Sequence, residues 1–220
     1  MKTIPILYED EQLVVVDKPA GMLTVPAPGK AGPVLTDRVN VQCAGEKQGK
    51  LHPCHRLDQM TSGAVIFARG KTAQQRMMAL FQDGRVQKTY IAFVKGRMKK
   101  RSGEFNAPVR DRHQERFAAD SRAKKALTRF RVTQYAPGIS VVEVSPQTGR
   151  TNQIRIHFAN DGHPLLGERV YAFRRDFDVD MKRLALHCRR LEFCHPFSGK
   201  EIQVDSPLPE DMKDFLTALE

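Results

Sequence analysis

The chain has 220 residues, 40% of them hydrophobic, and it carries a formal net charge of +11 at pH 7. This length and apolar fraction allow a real hydrophobic core, and we expect one domain over residues 1–220. The excess of positive charge indicates a polyanionic partner, such as nucleic acid or an anionic membrane. No apolar run approaches the roughly 20 residues needed to span a bilayer, and no signal-peptide core follows the N-terminus. We therefore predict a cytoplasmic protein that does not contact membranes.

Apolar and β-branched runs predict strands along most of the chain, and helical spacing predicts fewer helices. In chain order the predicted elements are strand 14–16, helix 35–42, strand 64–68, helix 72–82, strands 86–94, 128–132 and 139–144, a helix between Gly149 and Gly162, strands 184–193 and 202–204, and a closing helix after Pro209. Thr72 and Thr151 are the predicted N-terminal caps of the second and third helices. Because strands arrive in runs, the fold class is predicted to be α+β, with a mixed, mostly antiparallel sheet flanked by helices and loops.

Most of the net charge lies in one stretch, residues 97–131. It holds twelve Lys or Arg residues against four acids, an excess of eight out of the total of eleven. A surface that only keeps a protein soluble mixes the two signs more evenly. Clustered cations gain affinity for nucleic acid because they release counterions from phosphates. We therefore expect this segment, including Arg122, Lys124 and Lys125, to contact an RNA or DNA backbone.

The four cysteines form no CxxC pair, which argues against a zinc ribbon or a redox motif. Free thiols are the favoured interpretation. Two groups that are close in sequence keep a metal site open as the alternative: His52, Cys54 and His55, and Cys188, Cys194 and His195. Neither a Walker phosphate loop nor a dinucleotide-binding GxGxxG is present.

The stretch HRLDQMTSG, residues 55–63, is a polar loop that leads directly into the apolar strand AVIFA. Its structural interpretation is a turn in which Asp58, Thr61 and Ser62 cap local backbone amides. Its functional interpretation is a polar group held at the entrance of a strand. The residues alone leave both interpretations open.

This stretch closely resembles the HRLDxxTSG signature of RluA-type pseudouridine synthases. Further matches follow in the order of the family: KPAG at 18–21 resembles KPxG, KTY at 88–90 resembles K-x-Y, GRTNQIRIH at 149–157 resembles GRTHQIRxH, GHP stands at 162–164, and the pairs at 186–187 and 195–196 resemble the late strand. One departure is Asn152, which replaces the usual histidine and leaves open the hydrogen bond that this histidine makes. The resemblance covers residues 6 to 205. It implies the pseudouridine synthase fold in one catalytic domain, and because the strand pattern begins almost at Met1 we expect no S4-like RNA-binding domain.

The resemblance implies that the chain isomerises chosen uridines to pseudouridine in structured ribosomal or transfer RNA. The N-glycosidic bond breaks, the uracil turns, and C5 bonds to the ribose without a change of oxidation state, so no cofactor and no metal are expected. Asp58 takes the position of the family's essential aspartate. It can act as nucleophile at the sugar or the base, or as a base at the ribose, and the resemblance does not choose between these roles.

A carboxylate in a dry pocket stays ionised only beside a fixed cation, and Arg155 from the GRTNQIR match is the candidate. The K-x-Y match suggests that Tyr90 stacks on the uracil and helps to remove the C5 proton, whereas a core tyrosine is the structural alternative. Arg56 suits a side chain that fills the gap left by an extruded base. The expected substrate-binding residues are Arg56, Leu57, Thr61, Lys88, Leu186, Arg122, Lys124 and Lys125.

Two other functions fit parts of the sequence. A catalytically silent RNA-binding module of the same fold would explain the charge, but the joint presence of Asp58, Tyr90 and Arg155 argues against it. A glycosidase would need paired carboxylates, and the motifs offer mostly basic partners for Asp58. We expect a monomer whose partner is RNA, with no protein partner implied.

Overall fold

The computed structural model describes residues 3–29, 31–43, 49–110, 123–172 and 181–219. Within these residues the strands are β1 (Ile6–Glu9), β2 (Leu13–Lys18), β3 (Leu51–Pro53), β4 (Ser62–Arg69), β5 (Gln87–Lys95), β6 (Ser102–Asn106), β7 (Leu127–Ala136), β8 (Ile139–Pro146), β9 (Leu186–Cys194) and β10 (Glu201–Asp205). The helices are α1 (Leu35–Gln42), α2 (Gly70–Gln82), α3 (Gln153–Asn160) and α4 (Glu210–Thr217). The predicted α+β class is confirmed.

Each predicted strand and helix is present, and three short strands are additional. β1, β3 and β6 have three to five residues. The side chains of β1 and β6 are mostly exposed or half-buried, so these strands lack the apolar alternation by which a half-buried strand is recognised.

The two predicted helix caps are wrong. The N-cap of α2 is Arg69, without a side-chain capping bond, because Gly70 has a φ of 78° and turns β4 directly into the helix. The N-cap of α3 is Asn152, not Thr151. Asn152 has a φ of 53°, the left-handed region that asparagine tolerates better than most residues.

The chain divides into two compact units, and each combines two separated segments. Unit 1 consists of Met1–Lys88 and Cys188–Pro207, and unit 2 of Thr89–His187 and Leu208–Glu220. The single domain over residues 1–220 remains a prediction.

Unit 1 contains strands in the order β1-β2-β4-β9, with β10 paired to β9 and β3 paired to β4. β2 and β4 are almost completely buried and run antiparallel, with Leu13 opposite Ala68 and Lys18 opposite Gly63. This register places the end of β2 beside the start of β4. The KPAG and HRLDQMTSG stretches therefore meet at one end of the sheet.

In unit 2, β8 pairs antiparallel with both β5 and β7, and β6 pairs antiparallel with β7. One hydrophobic core includes Phe93, Ile139 and Met212, and α4 contributes to it. Packed phenylalanine rings join α3 to the sheet: Phe105 stacks on Phe130 at 4.8 Å and meets Phe158 edge-on at 5.0 Å. In the described part of the chain no helix is long and apolar enough to cross a membrane.

Candidate active site

Asp58 lies in unit 1, in a half-buried loop. Gln59, the residue after Asp58, is held by Lys18, whose side chain is fully buried. Lys18 Nζ donates to the carbonyl oxygens of Met22 at 2.7 Å and Gln59 at 3.1 Å, and Gly21 N donates to Gln59 O at 2.9 Å. Burial of an ammonium group is tolerated only when its protons are bound. Lys18 thus joins the KPAG loop to the loop that carries Asp58.

The residue before Asp58 is clamped by a threonine. Thr24 Oγ1 donates to Leu57 O at 2.9 Å and accepts from Leu57 N at 3.1 Å. The Leu57 side chain is buried, and Thr61 N donates to Asp58 O at 3.1 Å to close the turn. The backbone on both sides of Asp58 is therefore fixed by side chains from residues 18–24.

His55 anchors the start of this loop to β4. Its Nε2 accepts from Ile66 N at 3.0 Å, and its ring lies 4.6 Å from that of Phe81. Burial, with a smaller contribution from the positive charge of Lys88, lowers the pKa of His55 to about 3. The imidazole is therefore neutral at physiological pH, which its role as acceptor at Nε2 requires. Burial also lowers the pKa of Lys88.

The glycine of the TSG sequence is required by close packing. Gly63 has a φ of 117°, and a Cβ atom there would lie 2.3 Å from Cys188 O. Because the obstacle is backbone of β9, no side-chain rotation can relieve it. The loop can enter β4 only through a residue without a side chain.

Thr61 has a buried hydroxyl that stands out among the described residues. The residue is 1% exposed, and its Oγ1 has no hydrogen-bond partner in the part of the chain that the structure describes. A buried hydroxyl without a partner costs about 1–3 kcal/mol. The predicted substrate contact at Thr61 would supply the missing partner. Arg56, by contrast, is exposed.

Tyr90 and Arg155 lie in unit 2, and so does Leu186. Tyr90 is 9% exposed and stands opposite Val144 in the pairing of β5 with β8. Leu186 is buried at the start of β9. Lys124 and Lys125 are exposed, and Arg122 lies outside the described residues.

Arg155 is held by Glu168, a residue that the sequence did not single out. Its Nε donates to Glu168 Oε2 at 2.7 Å, and an Nη atom donates to Oε1 at 2.9 Å. The Glu168 side chain has no exposed surface. Its Oε1 also accepts from Val170 N at 2.8 Å and Tyr171 N at 3.2 Å. The guanidinium thus sits on a carboxylate that the backbone itself fixes.

The charge state of Glu168 follows from opposing effects. Burial alone raises the pKa of a carboxyl group, but here the hydrogen bonds and charge of Arg155, with the two backbone N–H groups, outweigh it. The pKa of Glu168 is therefore below its usual value, and the side chain is ionised. In the sequence Glu168 directly follows the apolar stretch Leu165, Leu166 and Gly167. A carboxylate buried with such a stretch requires a partner, and this pattern could have pointed to Glu168.

Asn152, the departure from the family motif, completes this network. Its Oδ1 accepts from Arg155 at 2.5 Å, and its Nδ2 donates to Tyr171 Oη at 3.0 Å. The Arg155 guanidinium lies 5.0 Å from the centre of the Tyr171 ring. Asn152 therefore fixes the orientation of the Arg155 guanidinium together with Glu168.

The described residues contain no group of three or more His, Cys, Asp or Glu side chains that could hold a metal ion. Unit 1 thus offers a carboxylate on a fixed loop, and unit 2 offers an oriented guanidinium and a tyrosine.

Comparisons with known proteins identify the family. The profile described as RNA pseudouridylate synthase matches residues 12–160. Ribosomal large subunit pseudouridine synthase D of Zymomonas mobilis is 34% identical over 225 residues, which cover 96% of this chain and 71% of that protein. The protein of the same name from Nitrosomonas europaea is 35% identical over 225 residues, which cover 98% of this chain and 65% of that protein.

A solved structure shows the same fold. Human RNA Pseudouridylate Synthase Domain Containing 4 has a TM-score of 0.82 and 24% identity, and the match covers 98% of this chain and 92% of that one. The expectations for family, fold class and reaction are confirmed. The chain belongs to the RNA pseudouridylate synthase family and is an isomerase that converts uridine in RNA to pseudouridine.

Proposed function

We propose that the substrate is ribosomal RNA of the large subunit and that Asp58 carries out the isomerisation. The substrate is supported by the names of the two relatives from Zymomonas mobilis and Nitrosomonas europaea, both large-subunit pseudouridine synthases. Transfer RNA, the other substrate expected from the sequence, has no comparable support. A cytoplasmic location and a monomeric state stay predictions.

The observation that carries the role of Asp58 is the way its loop is held. Lys18 and Thr24 use a buried ammonium and a buried hydroxyl to fix Leu57 and Gln59 on either side of it. A surface turn does not need such support. A carboxylate that must meet one atom of a substrate does, because a small misplacement in the bound geometry reduces the rate steeply.

Arg155 and Tyr90 complete the proposed chemistry. We assign to Arg155 the fixed positive charge that the sequence prediction requires for Asp58 to stay ionised, and Glu168 and Asn152 hold its guanidinium in one orientation. Tyr90 stacks on the uracil and helps to remove the proton from C5. In the whole reaction the bond from N1 to C1′ breaks, the bond from C5 to C1′ forms, and the proton lost at C5 is matched by one gained at N1. No electrons are transferred to an acceptor.

We assign contacts with the extruded uridine or the gap that it leaves to five residues of the sequence prediction. Thr61 is supported by its buried hydroxyl without a partner, and Arg56 by its exposed position in the catalytic loop. Leu57 and Leu186 are each buried and apolar, which suits contact with a base. Lys88, whose lowered pKa reflects burial, is assigned the same role.

Pseudouridine mapping tests this function. Large-subunit ribosomal RNA and transfer RNA should be compared between a strain with the gene, a strain without it, and strains complemented with wild type or Asp58→Asn. We expect one or a few sites in large-subunit RNA to be lost, and to return with wild type but not with Asp58→Asn. If the lost pseudouridine sites lie in transfer RNA instead, the proposed substrate is wrong, but the proposed role of Asp58 stands. If no site is lost, the silent RNA-binding module is favoured.

A further inference from the structure

We propose that four exposed basic residues of unit 2, the Arg150 patch, bind the RNA backbone, and that a second basic group, the Arg97 cluster, does not. The Arg150 patch consists of Arg110, Lys124, Lys125 and Arg150, and the Arg97 cluster of Arg97, Lys99, Lys100 and Arg101. All eight residues are exposed. The inference rests on the proposed function in taking RNA as the partner and large-subunit ribosomal RNA as the probe.

The charge excess of residues 97–131 can be divided along the chain. Residues 111–122 contain three basic and three acidic residues and contribute no net charge. On β7, Arg129 lies 3.6 Å from Glu104, and Arg131 lies 3.0 Å from Glu143. Exposed pairs of this kind contribute little to stability, but each offsets the charge of its arginine. The other basic residues of the segment form the Arg97 cluster and, with Arg150, the Arg150 patch.

Strand register places these two groups at opposite ends of the sheet in unit 2. Lys95 stands opposite Ile139, so the connection that follows β5 and holds the Arg97 cluster lies at that end. Tyr90 stands opposite Val144, near the other end of β8. Asn106 pairs with Leu127, so the Arg150 patch lies beyond the end that Tyr90 faces. The length of β6, four residue steps of about 3.3 Å, already puts about 13 Å between the two ends.

The Arg150 patch has a defined backbone geometry. Val109 and Lys124 exchange two backbone hydrogen bonds of 3.0 Å, which brings Arg110 and Lys125 close to this bridge. Arg150 Nε donates to Lys125 O at 3.2 Å, so the guanidinium from the start of the GRTNQIR stretch lies over the same segment. The patch therefore combines residues that are up to 40 positions apart in sequence.

A small core connects this patch to Arg155. Val109, Ala126 and Ile156 are buried together, and Tyr171 packs against them. Tyr171 is also the ring over which the Arg155 guanidinium lies. The backbone of the Arg150 patch and the Tyr171 ring beside Arg155 thus pack against the same small core. RNA that binds the patch would run past the end of unit 2 where Tyr90 and Arg155 stand.

The Arg97 cluster has a different local arrangement. The guanidinium groups of Arg97 and Arg101 lie 3.9 Å and 5.7 Å from the centre of the Tyr135 ring, and Tyr135 Oη donates to Met98 O at 3.1 Å. These contacts stabilise the connection between β5 and β6. They explain the arginines of the cluster without a nucleic acid.

Two triple variants with the same charge loss test the assignment. One is Lys124→Ala, Lys125→Ala, Arg150→Ala, and the matched control is Lys99→Ala, Lys100→Ala, Arg101→Ala. Both are made in the Asp58→Asn background, and their affinity for unmodified large-subunit ribosomal RNA is measured from about 50 to 200 mM salt. Three lost phosphate contacts should flatten the slope of log affinity against log salt by about two units, at about 0.7 per contact on a single strand. The control should keep the parental slope.

The outcomes separate the two proposals. Equal slopes for the patch variant and its parent, or an equal flattening by the control, would overturn the assignment of the Arg150 patch. A patch variant that unfolds at a lower temperature than the control is replaced by Lys124→Gln, Lys125→Gln, which leaves the Arg150 contact intact and should flatten the slope by more than one unit. Failure of the wild type to form pseudouridine overturns the proposed function, whereas the slope comparison still decides the patch.

Discussion

Arg155 and Glu168 form a two-point ion pair in which the carboxylate is completely buried. Two bonds to Glu168 and one to Asn152 use a donor on each of the three guanidinium nitrogens. The guanidinium is planar and rigid, so these three bonds fix its orientation. Glu168 is therefore a positioning residue for Arg155.

Glu168→Gln should lower kcat by about tenfold or more and change KM for RNA much less, because a misplaced guanidinium reduces the rate more than it reduces RNA binding. An amide offers one acceptor oxygen where the carboxylate offers two, and it carries no charge. Glu168→Asp keeps the charge and should recover part of the loss. Single-turnover pseudouridine formation at saturating and subsaturating RNA measures both constants. A kcat equal to that of wild type would show that Glu168 does not position Arg155.

The stability difference between wild type and Glu168→Gln should depend on pH. The pKa of Glu168 in the folded protein is below its ordinary value of 4.5, so the ionised group stabilises the fold above about pH 4.5 and loses this contribution as pH falls. Urea unfolding at pH 7 should show the full difference, and unfolding in steps towards about pH 3 should show it shrinking. A difference that stays constant over this range contradicts the ionised pair.

Arg155→Ala should destabilise the fold by about 3–5 kcal/mol, because it leaves the buried carboxylate of Glu168 without its cation. The double variant Arg155→Met, Glu168→Gln removes both charges, keeps an acceptor oxygen for the N–H groups of Val170 and Tyr171, and should recover much of this stability, although it should be inactive. Urea unfolding curves with a common slope give the comparison. If Arg155→Ala alone is as stable as wild type, the buried pair does not contribute as described.

Thr61→Val tests the buried hydroxyl. Valine has nearly the same shape, and it removes a polar atom that has no partner among the described residues, so the free energy of unfolding should stay equal or rise. If the hydroxyl contacts uridine, pseudouridine formation should nevertheless slow down. Thr61→Ser, which keeps the hydroxyl, is the control for activity. Unchanged activity in Thr61→Val would remove Thr61 from the substrate-binding residues.

Tyr90→Phe keeps the ring and loses only the hydroxyl. Stacking on the uracil depends on the ring, so RNA affinity should stay close to that of wild type while isomerisation slows. Tyr90→Leu removes the ring as well and should weaken both. The measurements are RNA affinity by filter binding and the rate of pseudouridine formation. Equal losses of affinity and rate in Tyr90→Phe would indicate a structural tyrosine.

Much of this protein could be read from the sequence. Alternation in β5 and the apolar run of β4 predicted these strands because side chains point to opposite faces of a sheet and the buried ones must be apolar. The HRLDQMTSG stretch identified Asp58 because its functional residues are contiguous. The charge count of residues 97–131 predicted a polyanionic partner, since charge adds up whatever the fold.

Only the tertiary structure revealed how the site is supported. Glu168 is thirteen residues from Arg155, and Lys18 is forty-one from Gln59; no periodicity links such pairs, because they meet only when separate elements pack. Asn152 is likewise nineteen residues from Tyr171, to which its side chain donates. Strand register showed that the two basic groups of residues 97–131 lie at opposite ends of the sheet in unit 2. Composition is a property of the chain, whereas the direction in which a charge points depends on the packing of its neighbours.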